Sequence, residues 1–145
     1  MRKLKTILLV GGSGFIGTHL ALHLRQGYKV FATYHHHKID IPGVSSIPLS
    51  LTDKDWVKRI IYGITPDVII YAAGHEDLEL AEEDPRAVNN LHSGGPAMIA
   101  NVAEIMQPRF IFLSNAFVFD GKKGNYHEND MMLPTSALGK AKVGG

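Results

Sequence analysis

The stretch TILLVGGSGFIG, residues Thr6–Gly17, decides the fold because it joins an apolar run to a glycine-rich turn. The continuous apolar run Thr6–Val10 is typical of a parallel strand that is covered on both faces. Gly11, Gly14 and Gly17 follow, and a helical pattern begins among them. A pyrophosphate can lie against such a turn, where the free N–H groups and the dipole of the helix favour negative charge. We therefore expect a dinucleotide site, although the spacing GxxGxxG differs from the commoner GxGxxG and purely structural glycines are the alternative.

The rest of the chain alternates between short β-branched runs and helical patterns. Further strands are predicted at Val30–Tyr34, Ser46–Leu51, Val68–Ala72 and Phe110–Ser114. The predicted helices are one with Ile16, Leu20 and Leu24 that Gly27 closes, one capped by Thr52 with Trp56, Ile60 and Ile61, a long one over Arg86–Met106, and one that opens near Ala137. This alternation indicates an α/β fold with a doubly wound parallel sheet, a Rossmann fold, and Phe119–Leu133 is predicted to be a long loop beyond its fifth strand.

The composition excludes several classes of function. With 145 residues and 45% hydrophobic content, residues 1–145 are expected to form one domain. The chain has 15 basic and 14 acidic side chains, so neither nucleic acid nor an anionic membrane is an expected partner. It has no cysteine, which excludes disulfides and thiolate catalysis and fits a cytoplasmic protein. The start MRKLKTILLV resembles a signal peptide, but we interpret it as leading into a buried strand because glycines and a helical pattern follow directly.

The residues after the second predicted strand bear on the choice of dinucleotide. An NAD site usually places an acidic side chain here, on the ribose hydroxyls. This chain instead has Tyr34, His35 and Lys38 within the run YHHHK, and no carboxylate before Asp40. A basic cluster suits the 2′-phosphate of NADP, so NADP is favoured over NAD, with a solvated loop as the alternative. The three consecutive histidines do not predict a metal site, because successive residues of an extended strand point to opposite faces.

Four segments together resemble one family of proteins. They are GGSGFIG (Gly11–Gly17), PDVIIYAAG (Pro66–Gly74), EEDP (Glu82–Pro85) and SNAFVFDG (Ser114–Gly121). With these segments the sequence resembles the extended short-chain dehydrogenase/reductase superfamily, and within it the dTDP-4-dehydrorhamnose reductases and related sugar-nucleotide proteins. The resemblance covers essentially the whole chain, and its most specific part is VFDG.

The resemblance implies a nicotinamide dinucleotide, NADP or NAD, and a set of residues that contact it. The implied cofactor-binding residues are Gly11, Ser13, Gly14, Phe15 and Ile16 in the glycine turn, the run Ala72, Ala73 and Gly74, and Lys142. The glycine spacing adds Gly17, the basic cluster after the second strand adds Tyr34, His35 and Lys38, and Leu51 is a further candidate. The resemblance also implies a nucleotide-linked sugar as a second ligand and a homodimer as the oligomeric state.

In active members of this family a tyrosine protonates the sugar carbonyl while the nicotinamide delivers hydride, and a lysine four residues later supports that tyrosine. Hydride addition builds negative charge on the carbonyl oxygen, which a donor of suitable pKa must neutralise. Here Leu138 stands at the tyrosine position, while Lys142 remains. Asn115 stands at the usual serine or threonine position, directly after Ser114. The candidate catalytic residues are therefore Lys142, Asn115 and Ser114, and the usual acid is missing because leucine carries no proton to donate.

Three functions stay open at this point. The first is dinucleotide binding with impaired or absent hydride transfer, which the loss of the tyrosine favours. The second is an active NADPH-dependent reductase of a dTDP-4-keto-sugar, in which Tyr126 or His127 of the long loop would replace the acid. The third is a non-functional fragment, because in the family the last helix continues past this point and a substrate domain follows. A partner chain that covers the sheet is the alternative to a fragment.

Overall fold

The computed structural model of the protein describes residues 3–145. Within this part of the chain, five parallel strands form one sheet in the order β3-β2-β1-β4-β5. The strands are β1 (Thr6–Val10), β2 (Lys29–Tyr34), β3 (Val44–Pro48), β4 (Val68–Tyr71) and β5 (Arg109–Phe112). This order confirms the predicted doubly wound α/β architecture. From β1 the chain adds β2 and β3 on one side, and it then crosses to the other side of β1 and adds β4 and β5.

The helices are α1 (Phe15–Leu24), α2 (Lys54–Ile64), α3 (Leu78–Glu83), α4 (Pro85–Asn89), α5 (Gly95–Ala103) and α6 (Ala137–Val143). A π-helical turn spans Asn90–Gly94, and 3-10 turns span Glu104–Met106 and Ala116–Val118. Helix α3 was not predicted from the sequence, whereas α6 was. In the described part of the chain no helix is long and apolar enough to cross a bilayer.

The described residues group into two compact units. The first comprises residues 3–73 and Met98–Leu113, and the second comprises Gly74–Ala97 and Ser114–Gly145. The sheet lies in the first unit, and α3, α4 and α6 lie in the second. The single domain expected over residues 1–145 stays a prediction.

The sheet of the first unit carries an apolar layer on each face. One layer includes Leu8 and Val10 of β1 together with buried side chains of α2 and α5. The other includes Ile7 and Leu9 of β1 together with Ala21 of α1. Successive residues of β1 alternate between the layers because the side chains of a strand point to opposite faces. Burial of each large side chain stabilises the fold by about 1.5–3 kcal/mol, which explains why so apolar a strand lies in the middle of the sheet.

Two predicted boundaries in the first unit were wrong. The third strand was expected at Ser46–Leu51, but β3 pairs with β2 over Val44–Pro48, because pairing starts directly after a turn at Gly43 (φ +85°). The cap of α2 is Asp53 rather than Thr52: the Asp53 carboxylate accepts a hydrogen bond from the Trp56 N–H at 2.9 Å. The Thr52 hydroxyl instead pairs with the Ser50 hydroxyl at 2.8 Å.

Two helix ends also differ from expectation. Helix α1 ends at Leu24 with Arg25 as its C-cap, so Gly27 lies beyond it and does not supply a left-handed cap. The long helix expected over Arg86–Met106 is present as a helical run, but it contains the π-helical turn directly before Pro96. A proline ring clashes with the carbonyl four residues earlier in a regular α-helix, and a widened turn at this place relieves that clash.

The second unit has an apolar core of its own. Leu138 and Ala141 of α6 pack there against Ala81 of α3 and Val88 of α4. Helix α6 begins at a regular N-cap, since the Ser136 hydroxyl accepts a hydrogen bond from the Gly139 N–H at 3.0 Å. This packing therefore determines which side of α6 faces the core of the second unit.

Candidate functional site

The glycine turn of the first unit is held by close backbone packing at two of its three predicted glycines. Gly11 has a φ of +82°, and a Cβ added to it would overlap the backbone of Ala73. A Cβ added to Gly17 would overlap the Gly11 carbonyl oxygen and lie 2.8 Å from the Gly12 Cα. At Gly14, by contrast, the nearest atom would be the Gly11 oxygen at 3.5 Å, an ordinary contact. Packing thus explains Gly11 and Gly17 but leaves Gly14 unexplained.

Two threonine side chains form hydrogen bonds to the backbone of the glycine turn. The buried Thr33 of β2 accepts a hydrogen bond from the Gly11 N–H at 3.1 Å. The Thr18 hydroxyl of α1 donates to the Gly12 carbonyl at 3.2 Å. These bonds fix the turn relative to the strand before it and the helix after it. Neither threonine was predicted from the sequence, because a single hydroxyl residue gives no periodic signal.

The N-terminus of α1 lies at this turn and carries no side-chain cap. Gly14 is the N-cap, and no acidic residue lies in the first turn. Phe15 and Ile16 are exposed, and Ser13 is partly exposed. The first N–H groups of a helix have no partner within it and attract anions. The arrangement provides the donors and the partial positive charge that a phosphate group needs.

The basic cluster predicted after β2 lies at the surface. His35 and Lys38 are exposed and Tyr34 is partly buried. The rings of His35 and His36 lie 3.9 Å apart, and His36 and His37 are 6.4 Å apart. Among residues 3–145 no group of three or more His, Cys, Asp or Glu side chains could hold a metal ion, here or elsewhere.

Three further residues of the first unit were expected to contact the cofactor. Leu51 and Ala73 pack against the apolar layer that contains Leu8, and Ala72 packs against the opposite layer. The Ala72 N–H donates to the Val10 carbonyl at 2.8 Å, so the backbone stays in register with β1 just beyond β4. Their positions are thus set by packing, and their contact with a cofactor stays a prediction.

In the second unit, the two positions at which the resemblance predicted a tyrosine and a lysine lie in different surroundings. Leu138 is fully buried within the apolar core. Lys142, one turn later, is also buried, but its Nζ lies 3.4 Å from the Glu76 Oε1 atom. Leu138 is therefore held by apolar packing, while the lysine faces a carboxylate.

Glu76, which was not predicted from the sequence, connects two of the three predicted catalytic residues. Its Oε2 atom accepts a hydrogen bond from the Asn115 side-chain amide, while Oε1 faces Lys142. The Asn115 side-chain oxygen accepts from the Phe117 N–H at 3.1 Å, which orients the amide. The third predicted residue, Ser114, is exposed. The usable signal for Glu76 was its place five residues after β4, because ligands of such sheets bind beyond the carboxyl ends of the strands.

Two histidines lie beside this cluster. His92, in the π-helical turn, is fully buried, and neither ring nitrogen has a hydrogen-bond partner among the described residues. Burial, followed by the charges of Lys142 and His75, lowers the pKa of His92 to about 4, so the ring is neutral at pH 7. The His75 ring stands edge-on to it, with centroids 5.9 Å apart. Gly74, which was predicted to contact the cofactor, packs on the His92 ring, because an added Cβ would overlap that ring.

The loop that includes Tyr126 is closed by its own side chains. The Tyr126 hydroxyl donates to Asp120 at 2.5 Å and accepts from the Lys123 N–H at 3.0 Å. The Tyr126 ring stacks on Phe119 with centroids 4.4 Å apart, and Lys123 pairs with Asp130 at 2.9 Å. The hydrogen bonds from Tyr126 and the Lys122 N–H lower the pKa of Asp120. Tyr126 therefore organises the loop, and its hydroxyl is already engaged on both sides.

Comparison with known proteins finds a protein family that matches this chain. A family model described as the RmlD substrate binding domain matches residues 5–145. Methionine adenosyltransferase 2 subunit beta of Rattus norvegicus is 27% identical over 145 residues, which cover 97% of this chain and 41% of that protein. The dTDP-4-dehydrorhamnose reductase of Aggregatibacter actinomycetemcomitans is 30% identical over 142 residues, which cover 96% of this chain and 45% of that protein.

A solved structure agrees with the sequence matches. The crystal structure of a hypothetical dTDP-4-dehydrorhamnose reductase from Sulfolobus tokodaii matches with a TM-score of 0.88 and 30% identity. The match covers 98% of this chain and 50% of that chain. The chain therefore spans about half the length, or somewhat less, of the relatives that it matches.

Proposed function

Because the chain belongs to the RmlD substrate binding domain family, we propose that it binds a nicotinamide dinucleotide and transfers hydride poorly or not at all. The observation that carries the binding proposal is the turn of the first unit, where Gly14 opens the uncapped N-terminus of α1. Packing requires a glycine at Gly11 and at Gly17 but not at Gly14. A glycine without a packing reason, beside free helix N–H groups, favours close approach of a phosphate to the backbone.

The turn fits the pyrophosphate of a dinucleotide. The donors at the start of α1 suit its negative charge, and Thr33 and Thr18 hold the turn in place without occupying those donors. We assign the phosphates to the turn and to Ser13, Phe15 and Ile16. A bound nicotinamide would supply or accept a hydride, and the residues of the turn would only bind and orient the dinucleotide.

We propose NADP rather than NAD as the preferred dinucleotide. His35 and Lys38 are exposed after β2, where an acidic side chain would favour NAD. A 2′-phosphate gains charge-assisted hydrogen bonds from lysine, and an imidazole ring can donate a further hydrogen bond to it.

The proposal of weak or absent hydride transfer depends on Leu138. Proton donation to a carbonyl needs an acid within hydrogen-bond reach of the oxygen, and a fully buried leucine supplies none. Tyr126, the nearest tyrosine in sequence before Leu138, already donates its proton to Asp120. Its engagement makes it a poor replacement for the missing acid.

One observation favours the second candidate function, an NADPH-dependent reductase of a dTDP-4-keto-sugar. Lys142 and Asn115 converge on Glu76, so two groups at the family's catalytic positions still lie together. The relatives do not decide between the candidates, since one is named as a reductase and another as a subunit of methionine adenosyltransferase. A nucleotide-linked sugar and a second copy of the chain are the partners proposed for either case.

Isothermal titration of the protein with NADPH and with NADH tests binding. We expect both to bind, with NADPH tighter, and the unfolding temperature to rise with dinucleotide concentration because the ligand binds the folded state. Failure of both dinucleotides to bind at millimolar concentration would overturn the proposal.

A second measurement tests catalysis. NADPH oxidation in the presence of a dTDP-4-keto-sugar is followed by absorbance, with protein that binds NADPH. We expect no turnover above the rate without protein. Sustained turnover would reject impaired hydride transfer and establish the reductase instead.

A further inference from the structure

Helix α1 of the first unit carries two histidines one turn apart on its exposed side. His19 and His23 stand four positions apart in this helix, and both side chains are exposed. Side chains at this spacing are neighbours on a helix surface, with Cβ atoms about 5–6 Å apart. Zinc-binding helices use the same spacing for two of their histidine ligands. Neither side chain takes part in the proposed dinucleotide site.

The His19 ring is held in a way that suits a metal ligand. Its Nδ1 atom lies 2.8 Å from the Phe15 carbonyl oxygen. A carbonyl oxygen only accepts hydrogen bonds, so Nδ1 carries a proton, and in the neutral ring the lone pair is on Nε2. Metal-binding histidines are commonly oriented by such a bond from the other ring nitrogen to a backbone carbonyl or a carboxylate. The ring also packs on Phe15, with centroids 4.6 Å apart. His19 therefore offers Nε2 as the ligand atom.

The charges around this face of α1 do not oppose a cation. The sequence of the helix, FIGTHLALHL, has no lysine or arginine. Arg25 follows directly after the helix, but its guanidinium donates a hydrogen bond to the Pro42 carbonyl at 2.7 Å. His23 lies in the last turn, where the helix dipole favours positive charge. A metal ion bound there gains from the dipole.

The donor set selects the class of metal ion. Imidazole nitrogen suits Cu²⁺, Ni²⁺ and Zn²⁺, whereas Mg²⁺ and Ca²⁺ prefer oxygen ligands. Among the first three, Cu²⁺ binds a given nitrogen site most tightly. Two nitrogens from the protein with oxygens from water form the mixed set that is typical of Cu²⁺ and Ni²⁺. This pair is a smaller donor set than the groups of three or more ligands that are absent from residues 3–145.

The run of three histidines after β2 is a weaker candidate for the same ion. Residues 35–37 form bends, so no helix sets the spacing of their rings. The rings of His36 and His37 lie 6.4 Å apart and edge-on to each other. His36 therefore serves as a control for histidine content rather than as part of the site.

We propose that His19 and His23 chelate a divalent transition-metal ion, with Cu²⁺ bound more tightly than Ni²⁺ or Zn²⁺. The ion joins two successive turns of α1, a helix that has no side-chain N-cap and contains Gly17. Glycine disfavours a helix interior and a missing cap leaves the first turn less stable, so α1 gains from a cross-link. Metal binding thus stabilises the first unit, and it does not depend on dinucleotide binding.

The test compares the wild-type protein with H19A and H23A. H36A is the matched control, because His36 is an exposed histidine outside the helices. Each full-length protein is titrated with Cu²⁺, Ni²⁺, Zn²⁺ and Mg²⁺ by calorimetry. Loss of a group that only hydrogen-bonds a metal ligand commonly weakens metal binding about 10- to 100-fold. We therefore expect H19A and H23A, which each lose a ligand, to bind Cu²⁺ at least about tenfold more weakly than the wild type and H36A.

Three results of the titration would overturn the site. Unchanged Cu²⁺ affinity in either H19A or H23A would show that the two rings do not act as a pair. A loss in H36A as large as that in H19A would place the ion at the histidine run instead. Binding of Mg²⁺ as tight as that of Cu²⁺ would contradict nitrogen ligands.

A second readout does not depend on affinity. The ring carbon–proton signals of His19 and His23 should shift together in an NMR spectrum when Zn²⁺ is added, and those of His36 should stay. Shifts confined to other histidines would overturn the proposal. If H19A disturbs α1, His19→Phe keeps an aromatic ring beside Phe15 and lacks the nitrogens, so the same loss of Cu²⁺ affinity is expected. Wild-type affinity in H19F would refute the role of His19.

Discussion

Gly14→Ala separates a glycine kept for a ligand from glycines kept for packing. The backbone at Gly14 (φ −73°, ψ 172°) is open to alanine, and the new methyl would lie 3.5 Å from the Gly11 oxygen, an ordinary contact. Restricting the unfolded chain stabilises such variants by about 0.4–1 kcal/mol. Alanine is a poorer N-cap than glycine by a similar amount. The two effects offset each other, so we expect the free energy of unfolding to change by less than about 1 kcal/mol.

The effect on binding should be much larger. A methyl group at Gly14 would stand before the N–H groups of α1 and displace a phosphate from them, with loss of hydrogen bonds to a charged group worth about 1.5–3 kcal/mol. That range corresponds to a loss of affinity of roughly 10- to 150-fold. Isothermal titration with NADPH measures the affinity, and urea unfolding measures the stability.

Two control variants make the test decisive. Gly27→Ala should change neither quantity much, because no atom lies within 4 Å of the added methyl. Gly17→Ala should lower stability by about 1–3 kcal/mol, because its methyl would overlap the Gly11 carbonyl and force the backbone to move. If G14A binds NADPH like the wild type, the turn is not the phosphate site. If G14A is as unstable as G17A, the packing argument is wrong.

Three further predictions concern the second unit. Leu138→Tyr should lower the free energy of unfolding, measured in urea, by about 1–3 kcal/mol, because the larger ring enters a filled apolar core. The variant should also show no reductase turnover, and measurable turnover would contradict this prediction. Tyr126→Phe should raise the pKa of Asp120 toward its ordinary value, because the variant lacks the hydroxyl group whose hydrogen bond lowers that pKa. A carbon NMR titration measures the pKa, and an unchanged value would show that the Tyr126–Asp120 hydrogen bond is absent in solution. The free energy of unfolding should fall by up to about 3 kcal/mol as the pH drops from 6.5 to about 4, because His92 binds a proton in the unfolded chain in this window but not in the folded protein. The variant His92→Asn should show a weaker pH dependence. A wild-type protein whose stability does not change over this pH range would refute the burial of a neutral His92 ring.

The sequence predicted the sheet well because β1 and the glycine turn are specified locally. An apolar run, three glycines and a helical repeat each have one good structural solution, and they agree with one another. Prediction failed at places where two local signals compete. Thr52 and Asp53 are both good caps, and only the chain geometry after Ser50 selects the second.

The candidate site was predictable only in part, because its key contacts join residues distant in sequence. Lys142 and Asn115 were found by their positions in a family pattern, but Glu76 belongs to no pattern and is 39 residues from Asn115. The π-helical turn that buries His92 follows from Pro96, yet a proline inside a helical stretch predicts a break or a kink equally well. Such features depend on tertiary packing, on which periodicity and propensity carry no information.

The persistence of Lys142 beside Leu138 has a structural reason that does not require catalysis. On α6, Leu138 faces an apolar core and Lys142 faces Glu76, so both side chains have suitable surroundings. A lysine buried without a counter-charge would be costly, and Glu76 removes that cost whether or not a carbonyl is ever reduced. Retention of the lysine is therefore explained by its ion pair with Glu76. The lysine by itself is not a sign of proton transfer, because Leu138, at the position where the resemblance predicted the proton donor, has no proton to give.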